Sequence, residues 1–101
     1  MAMGHKAWDA FRTAFDARKP LTIRGNSLSA HVGAAQSTGR LSGAELDAYR
    51  EARNNDKIDY TVMSYGTPIA WVLIGGDVII PATSYSRTTT AQQNFCRAWL
   101  R

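Results

Sequence analysis

"IDYTVMSYGTPIAWVLIGGDVIIP", residues 58–81, is the stretch of sequence that decides the fold. Valine, isoleucine, threonine and aromatic residues dominate it, and these residue types favour strands. Tyr65-Gly66 and Gly75-Gly76 divide the stretch into three parts and are typical of tight turns. We therefore predict three antiparallel strands joined by two hairpin turns.

Two-residue loops at both turns predict how these strands pair, because alternate side chains point to opposite faces. The predicted pairs are Tyr60–Trp71, Val62–Ile69, Leu73–Val78 and Trp71–Ile80. One face then carries Ile58, Tyr60, Val62, Ile69, Trp71, Leu73, Val78 and Ile80. The opposite face carries Asp59, Thr61, Met63, Ala70, Val72, Ile74, Asp77 and Ile79. Because the second face is also half apolar, each face needs a cover, either a helix or a partner subunit.

Helices are predicted before, between and after the strands. Residues 5–18 repeat apolar side chains at spacings of three and four, which is typical of an amphipathic helix. Ser42 and Glu45 predict a capping box for a helix at residues 43–54. The last helix is predicted at residues 86–101, with an apolar stripe of its own.

Residues 21–32 predict a hairpin that adds two more strands. Gly25-Asn26 is its turn, since both residues tolerate positive φ angles. The predicted pairs are Ile23–Leu28, Thr22–Ser29 and Leu21–Ala30. This pairing places apolar side chains on one face of the hairpin and polar side chains on the other.

Length and composition agree with one α+β domain over residues 1–101, with about five antiparallel strands and three helices in the order αββαβββα. Residues 1–4 are expected to be flexible. The net charge of +4 favours anionic partners, although it is also explained by solubility alone. The single cysteine excludes an internal disulfide and fits a reducing cytoplasm. We expect no membrane contact, because no apolar run reaches spanning length and no secretory signal occurs.

A polar stretch before the last helix, "YSRTTTAQQNF" at residues 85–95, has two compatible interpretations. Its hydroxyls are good N-caps, and a glutamine can complete a capping box with Thr89 or Thr90. Alternatively, an exposed helix N-terminus attracts anions, and Arg87 adds a full charge there. The candidate residues for nucleic-acid or partner binding are Tyr85, Ser86, Arg87, Thr88, Thr89, Gln92 and Gln93, with Arg24 and Arg97 as further cations.

"SYGTPIAW" at 64–71 and "DVIIPATSYSRTT" at 77–89 resemble blocks of a family of small uncharacterised phage proteins, common in phages of actinobacteria. The family signature is Tyr-x-Thr-x-Ile-Ala, a short strand ending in proline, and then Tyr-Ser-x-Thr-Thr-x-x-His-Gln. The matching positions are Tyr65, Thr67, Ile69, Ala70, Tyr85, Ser86, Thr88, Thr89 and Gln93. Gln92 stands where the family has histidine, and an amide hydrogen-bonds without titrating. The resemblance implies a phage origin and action in the cytoplasm of a bacterial host.

Catalytic chemistry is not expected from this sequence, and neither a metal nor a cofactor is predicted. His5 and His31 each lack a second histidine or cysteine at ligand spacing. Ser29 and His31 would need an aspartate placed beside them to form a triad. Cys96 falls on the apolar stripe of the last helix, where a buried thiol is typical.

Two functional hypotheses therefore remain, and neither involves an enzyme. The first is an accessory protein that binds DNA through the basic, threonine- and glutamine-rich start of the last helix. The alternative is a module that inhibits or redirects a host protein through the second sheet face, with Met63, Val72, Ile74 and Ile79. A homodimer formed through that same face is compatible with either hypothesis.

Overall fold

A computed structural model describes residues 5–23, 27–82 and 86–100 of the chain. The helices are α1 (His5–Ala17), α2 (Gly43–Asn54) and α3 (Arg87–Trp99), and the strands are β1 (Leu21–Thr22), β2 (Leu28–Val32), β3 (Ile58–Ser64), β4 (Thr67–Leu73) and β5 (Val78–Ile79). The strands form one antiparallel sheet in the order β1-β2-β3-β4-β5. The predicted α+β class and the order αββαβββα are confirmed.

The first hairpin has the register that the sequence predicts. Leu21 pairs with Ala30, and Thr22 pairs with Ser29. Ala30 is buried while Ser29 is half-exposed, so the expected division into an apolar and a polar face is correct. The predicted turn at Gly25-Asn26 lies outside the described residues, as do the expected flexible residues 1–4.

The register between β3 and β4 differs from the prediction over its central part. Ser64 pairs with Thr67 across a two-residue turn, as expected, but Val62 pairs with Ala70 rather than Ile69. Ile69 is an extra residue on β4, and Asp59 is an extra residue on β3 further along. Two β-bulges therefore shift the three central pairs by one residue, which moves alternate side chains to opposite faces.

The turn between β4 and β5 also differs from the prediction. The Leu73 amide donates to the carbonyl of Asp77 at 2.8 Å, so the loop contains three residues, 74–76, rather than two. Trp71 consequently pairs with Ile79 rather than with Ile80.

α1 and α3 cover one face of the sheet. The core on this side contains Phe11, Phe15, Leu28, Ala30, Tyr60, Val62, Ile69, Ala70, Val72, Cys96 and Leu100. Aromatic rings join the layers: the Phe15 ring lies 5.6 Å from that of Phe95 and 6.1 Å from that of Tyr60. Burial of such large side chains supplies most of the stabilisation of a domain of this size.

α2 covers the opposite face, which corrects the predicted membership of both faces. Trp71 packs edge-on against Tyr49 of α2 at 4.8 Å, with Leu41 and Ile58 beside them. Val72, expected on this second face, instead lies in the core under α1 and α3. The face proposed for a partner is thus largely occupied by a helix of the same chain.

Two further observations concern the cap of α2 and the length of the helices. Ser42 is the N-cap of α2, but its side chain makes no capping hydrogen bond, so the predicted capping box with Glu45 is wrong. None of the helices in the described part of the chain is both long and apolar enough to cross a membrane.

Candidate functional site

The start of α3 is tied to the sheet by a buried amide. The Ser64 hydroxyl donates to Gln92 Oε1 at 2.6 Å, and Gln92 Nε2 donates to Ser27 Oγ at 3.0 Å. Gln92 is only 2% exposed. Both ends of its side chain therefore have partners inside the protein, and the amide joins α3 to β3 and to the first hairpin.

A second buried amide covers the outer edge of β4. Gln93 Nε2 donates to the carbonyl of Pro81 at 3.1 Å and approaches the carbonyl of Ile69 at 3.4 Å. β5 pairs with β4 only at Trp71 and Val72, so Ile69 lies beyond that pairing. Gln93 thus supplies a donor to an edge carbonyl that has no neighbouring strand.

Ser86 is the N-cap of α3. Its Oγ accepts a hydrogen bond from the Thr89 amide at 3.1 Å and donates to Thr89 Oγ1, also at 3.1 Å. Local capping, one of the two interpretations of this stretch, is therefore correct for Ser86. The alternative capping box is wrong, because both glutamine side chains contact the sheet and the preceding loop instead.

Burial leaves only part of the predicted binding stretch at the surface. Thr89, Gln92 and Gln93 face the interior, whereas Ser86 and Arg87 are exposed and Thr88 and Thr90 are half-exposed. Any contact at the start of α3 in this conformation is thus left mainly to Ser86 and Arg87. Tyr85 and Arg24 lie outside the described residues.

Arg97 is not part of the same cluster. It lies ten residues after Arg87, about 15 Å further along the helix axis. Its guanidinium donates to Asn94 Oδ1 at 2.8 Å on the exposed side of α3. Arg97 therefore belongs to the outer face of the helix rather than to its start.

A small pocket lies beside the start of α3. Its lining residues are Arg40, Ser64, Tyr65, Thr67 and Thr89. Its volume of about 20 Å³ is room for a water molecule and too small for a base. The pocket brings residues from the β3–β4 hairpin, from the loop before α2 and from α3 to one place.

Tyr65, at the tip of the β3–β4 hairpin, is 68% exposed and has a φ of +50°. Gly66 also has a positive φ, +75°, so the two residues have the φ angles of a type I′ turn. Such turns prefer asparagine at the first position, since a bulky side chain is strained there. The sequence marks Tyr65 as a turn residue, but nothing in it indicates this combination of exposure and strain.

The loop at residues 33–42 forms the wall of the pocket that contains Arg40. The Arg40 amide donates to Thr67 Oγ1 at 2.8 Å, and the Ser37 hydroxyl donates to the carbonyl of Gly66 at 2.8 Å. Gly39 packs so closely that an added Cβ would overlap Thr67 Oγ1. Arg40 is exposed, and sequence reasoning missed it because its place depends on these long-range contacts.

Ser29 and His31, considered above for catalysis, do lie together. Ser29 Oγ is 2.9 Å from His31 Nε2 on the same strand. Within the described residues, no hydrogen bond joins His31 to the carboxylate that would orient a catalytic histidine. No group of three or more potential metal ligands occurs in that part of the chain either.

The model of a family of unknown function, DUF8033, matches residues 21–100. This match covers most of the chain and includes every strand, α2, α3 and the pocket described above. Neither a curated protein nor a solved structure matches at a significant level. The chain therefore belongs to the DUF8033 family.

Proposed function

We propose that this member of the DUF8033 family is a small non-enzymatic accessory protein, encoded by a phage, that binds nucleic acid in the cytoplasm of a bacterial host. The binding surface is the end of the molecule where α3 begins, and we define it by Ser86, Arg87, Arg40 and Tyr65. Thr89, Gln92 and Gln93 are buried, so the proposed contacts are the exposed residues around them.

One observation carries this proposal: an exposed cation and an exposed aromatic ring line one small pocket beside the start of α3. Arg40 and Tyr65 line the pocket, and Arg87 begins the helix whose Thr89 completes its lining. Neither that lining nor the first turn of α3 contains an acidic residue. Arginine binds phosphate, and aromatic rings stack on bases, so this combination suits a nucleic acid.

The phage origin in this proposal is supported by the resemblance of residues 64–71 and 77–89 to phage proteins. Sequencing of the genomic neighbourhood would reveal whether the gene lies among phage genes.

Salt dependence of DNA binding tests the proposal. A protein that neutralises phosphates binds less tightly as salt rises, and loss of one phosphate contact lowers the slope of log K against log salt by about one. We expect this reduction for Arg87→Ala and for Arg40→Ala. Arg50→Ala, an equal loss of charge on the exposed side of α2, is the matched control and should leave the slope unchanged.

Binding that is equally strong at low and high salt would refute the proposal. So would equal effects of all three arginine variants, because net charge alone would then explain the affinity.

A second candidate function is binding of a host protein or of a second copy of the chain. Ile74 and Ile79, at the β4–β5 edge of the sheet, are 67% and 37% exposed. These two side chains are the part of the apolar face proposed for a partner that stays exposed, because α2 covers the centre of that face. Light scattering tests self-association: a mass near twice 11.1 kDa that returns to 11.1 kDa in Ile79→Asp would support it.

A further inference from the structure

Tyr65 is the residue of this surface that the fold itself does not explain. It is the most exposed large apolar side chain of the described residues, and its backbone is in the left-handed region. Among those residues, no hydrogen bond or ring contact involves its phenol ring. A turn of this type is more stable with asparagine, so tyrosine weakens the hairpin without a side-chain hydrogen bond or ring contact that compensates for the strain.

The hairpin tip is held in place rather than projecting as a free ribbon. The Tyr65 amide donates to the carbonyl of Ser27 at 3.1 Å on one side. On the other side, Ser37 donates to Gly66, and Gly39 packs against the same turn. Because the turn is held on both sides, it does not project as a free ribbon that could enter the groove of a duplex.

The pocket beside the ring limits how a base can be recognised. With about 20 Å³ it admits one water-sized group, such as a phosphate oxygen, but not a base. A base in contact with this surface must therefore lie on the ring of Tyr65 instead of entering the pocket. In a duplex the faces of the bases are covered by their neighbours, whereas single strands leave them free to stack.

We propose that the nucleic acid bound here is single-stranded, with a base stacked on the Tyr65 ring and the adjacent backbone phosphate next to Arg40. This inference rests on the proposed nucleic-acid function and names the form of its ligand. DNA and RNA share the stacking chemistry, and the experiment distinguishes them.

Fluorescence anisotropy with the full chain tests this inference. The probes are labelled single-stranded oligonucleotides of mixed sequence and about 16 nucleotides, one of DNA and one of RNA, and the duplex of the same DNA sequence. We expect tighter binding of a single strand than of the duplex at low salt. The tighter of the two single strands identifies the natural class.

Two substitutions separate the stacking role of Tyr65 from a structural role. Tyr65→Asn removes the ring but suits the turn, so we expect single-strand affinity to fall about tenfold while the melting temperature rises by about 4 °C. Tyr65→Phe keeps the ring, and its affinity should stay within about twofold of the parent. Loss of binding in a more stable variant cannot come from unfolding.

Three results would overturn the inference. If the duplex binds at least as tightly and Tyr65→Asn has no effect, nucleic-acid binding survives but does not involve a base stacked on Tyr65. If Tyr65→Asn lowers the melting temperature, the ring has a structural role in stabilising the fold, and its exposure is not evidence of ligand binding. If no probe binds at low salt, this inference and the proposed function fail together.

Discussion

Gly39 is the single residue on which the wall of the pocket depends most. Its φ is +47°, and an added Cβ would overlap both Thr67 Oγ1 and the carbonyl of Gly66. We predict that Gly39→Ala lowers the free energy of unfolding by about 3 kcal/mol, part from backbone strain and part from overpacking. Urea denaturation measures this change.

Gly43→Ala is the matched control for this substitution. Gly43 also has a positive φ, +58°, but an added Cβ would meet nothing within 4 Å. Only the backbone strain remains, so we expect a loss of about 1 kcal/mol. Equal losses at the two positions would contradict the close packing of the loop on the hairpin.

At the level of single residues, the sequence predicts which side chains make polar contacts better than it predicts which partners they contact. Hydroxyl and amide residues at the start of α3 predict polar contacts, and this is correct. Whether those contacts are internal depends on Ser64, 28 residues before Gln92 in sequence. Tyr65 was predicted only as a turn residue, because exposure and strain are consequences of the assembled fold.

A hydrogen bond between Ser64 and Gln92 attaches α3 to β3, and a double-mutant cycle measures the coupling energy between these two residues. Ser64→Ala leaves Gln92 Oε1 without its donor, and Gln92→Met removes one hydrogen bond from each of the Ser64 and Ser27 hydroxyls. We predict losses of about 2 kcal/mol for each substitution and a coupling of about 1 kcal/mol in the double variant. Asn94→Met also replaces an amide by methionine but removes only an exposed hydrogen bond, the one from Arg97, so it should cost no more than about 0.5 kcal/mol.

Purely additive effects in that cycle would show that the buried hydrogen bond does not contribute to the attachment. The loss would then reflect packing alone.

α2 is attached to the other face by the Tyr49 hydroxyl. This oxygen accepts from the Ala35 amide at 2.7 Å and lies 3.1 Å from Thr61 Oγ1. Tyr49→Phe is predicted to cost about 1–2 kcal/mol and to accelerate hydrogen exchange at the Ala35 amide. NMR exchange rates test this, and an unchanged rate at Ala35 would contradict an anchoring role for the hydroxyl.

At the level of elements, the sequence predicts which segments are helices and strands better than how the strands pair. The first hairpin has the expected register because one of its faces is clearly polar. β3 and β4 are apolar on both faces, so alternation does not distinguish neighbouring registers. No local pattern in the sequence predicts the bulges at Asp59 and Ile69.

The whole molecule is a sheet with its own helices on both faces. The prediction that each face needs a cover was correct, and the structure supplies α2 where a partner was considered. Among the described residues, Ile74 and Ile79 remain exposed at the β4–β5 edge of the sheet. A stable interface needs roughly 800 Å² from each partner, so two side chains alone would give a weak one.

Global stability should fall at alkaline pH, because two buried groups hold their protons in the folded state. Burial raises the pKa of Tyr60 from 10.0 to about 12, despite the nearby Arg18, and raises that of Cys96 from 9.0 to about 12. The unfolded chain loses these protons at lower pH than the folded chain does. Stability from this source is complete below pH 9 and is lost as pH rises toward 12.

Urea denaturation over this range tests the linkage, with a slope of at most about 1.4 kcal/mol per pH unit for each group. Tyr60→Phe removes the phenol that donates to the Lys19 carbonyl at 2.7 Å, so it lowers stability at neutral pH but should flatten the profile above pH 10. Cys96→Ala should flatten it from pH 9 upward. If both variants lose stability in parallel with the parent protein, these two groups do not govern the alkaline transition, because the linkage requires each substitution to remove its own share of the slope.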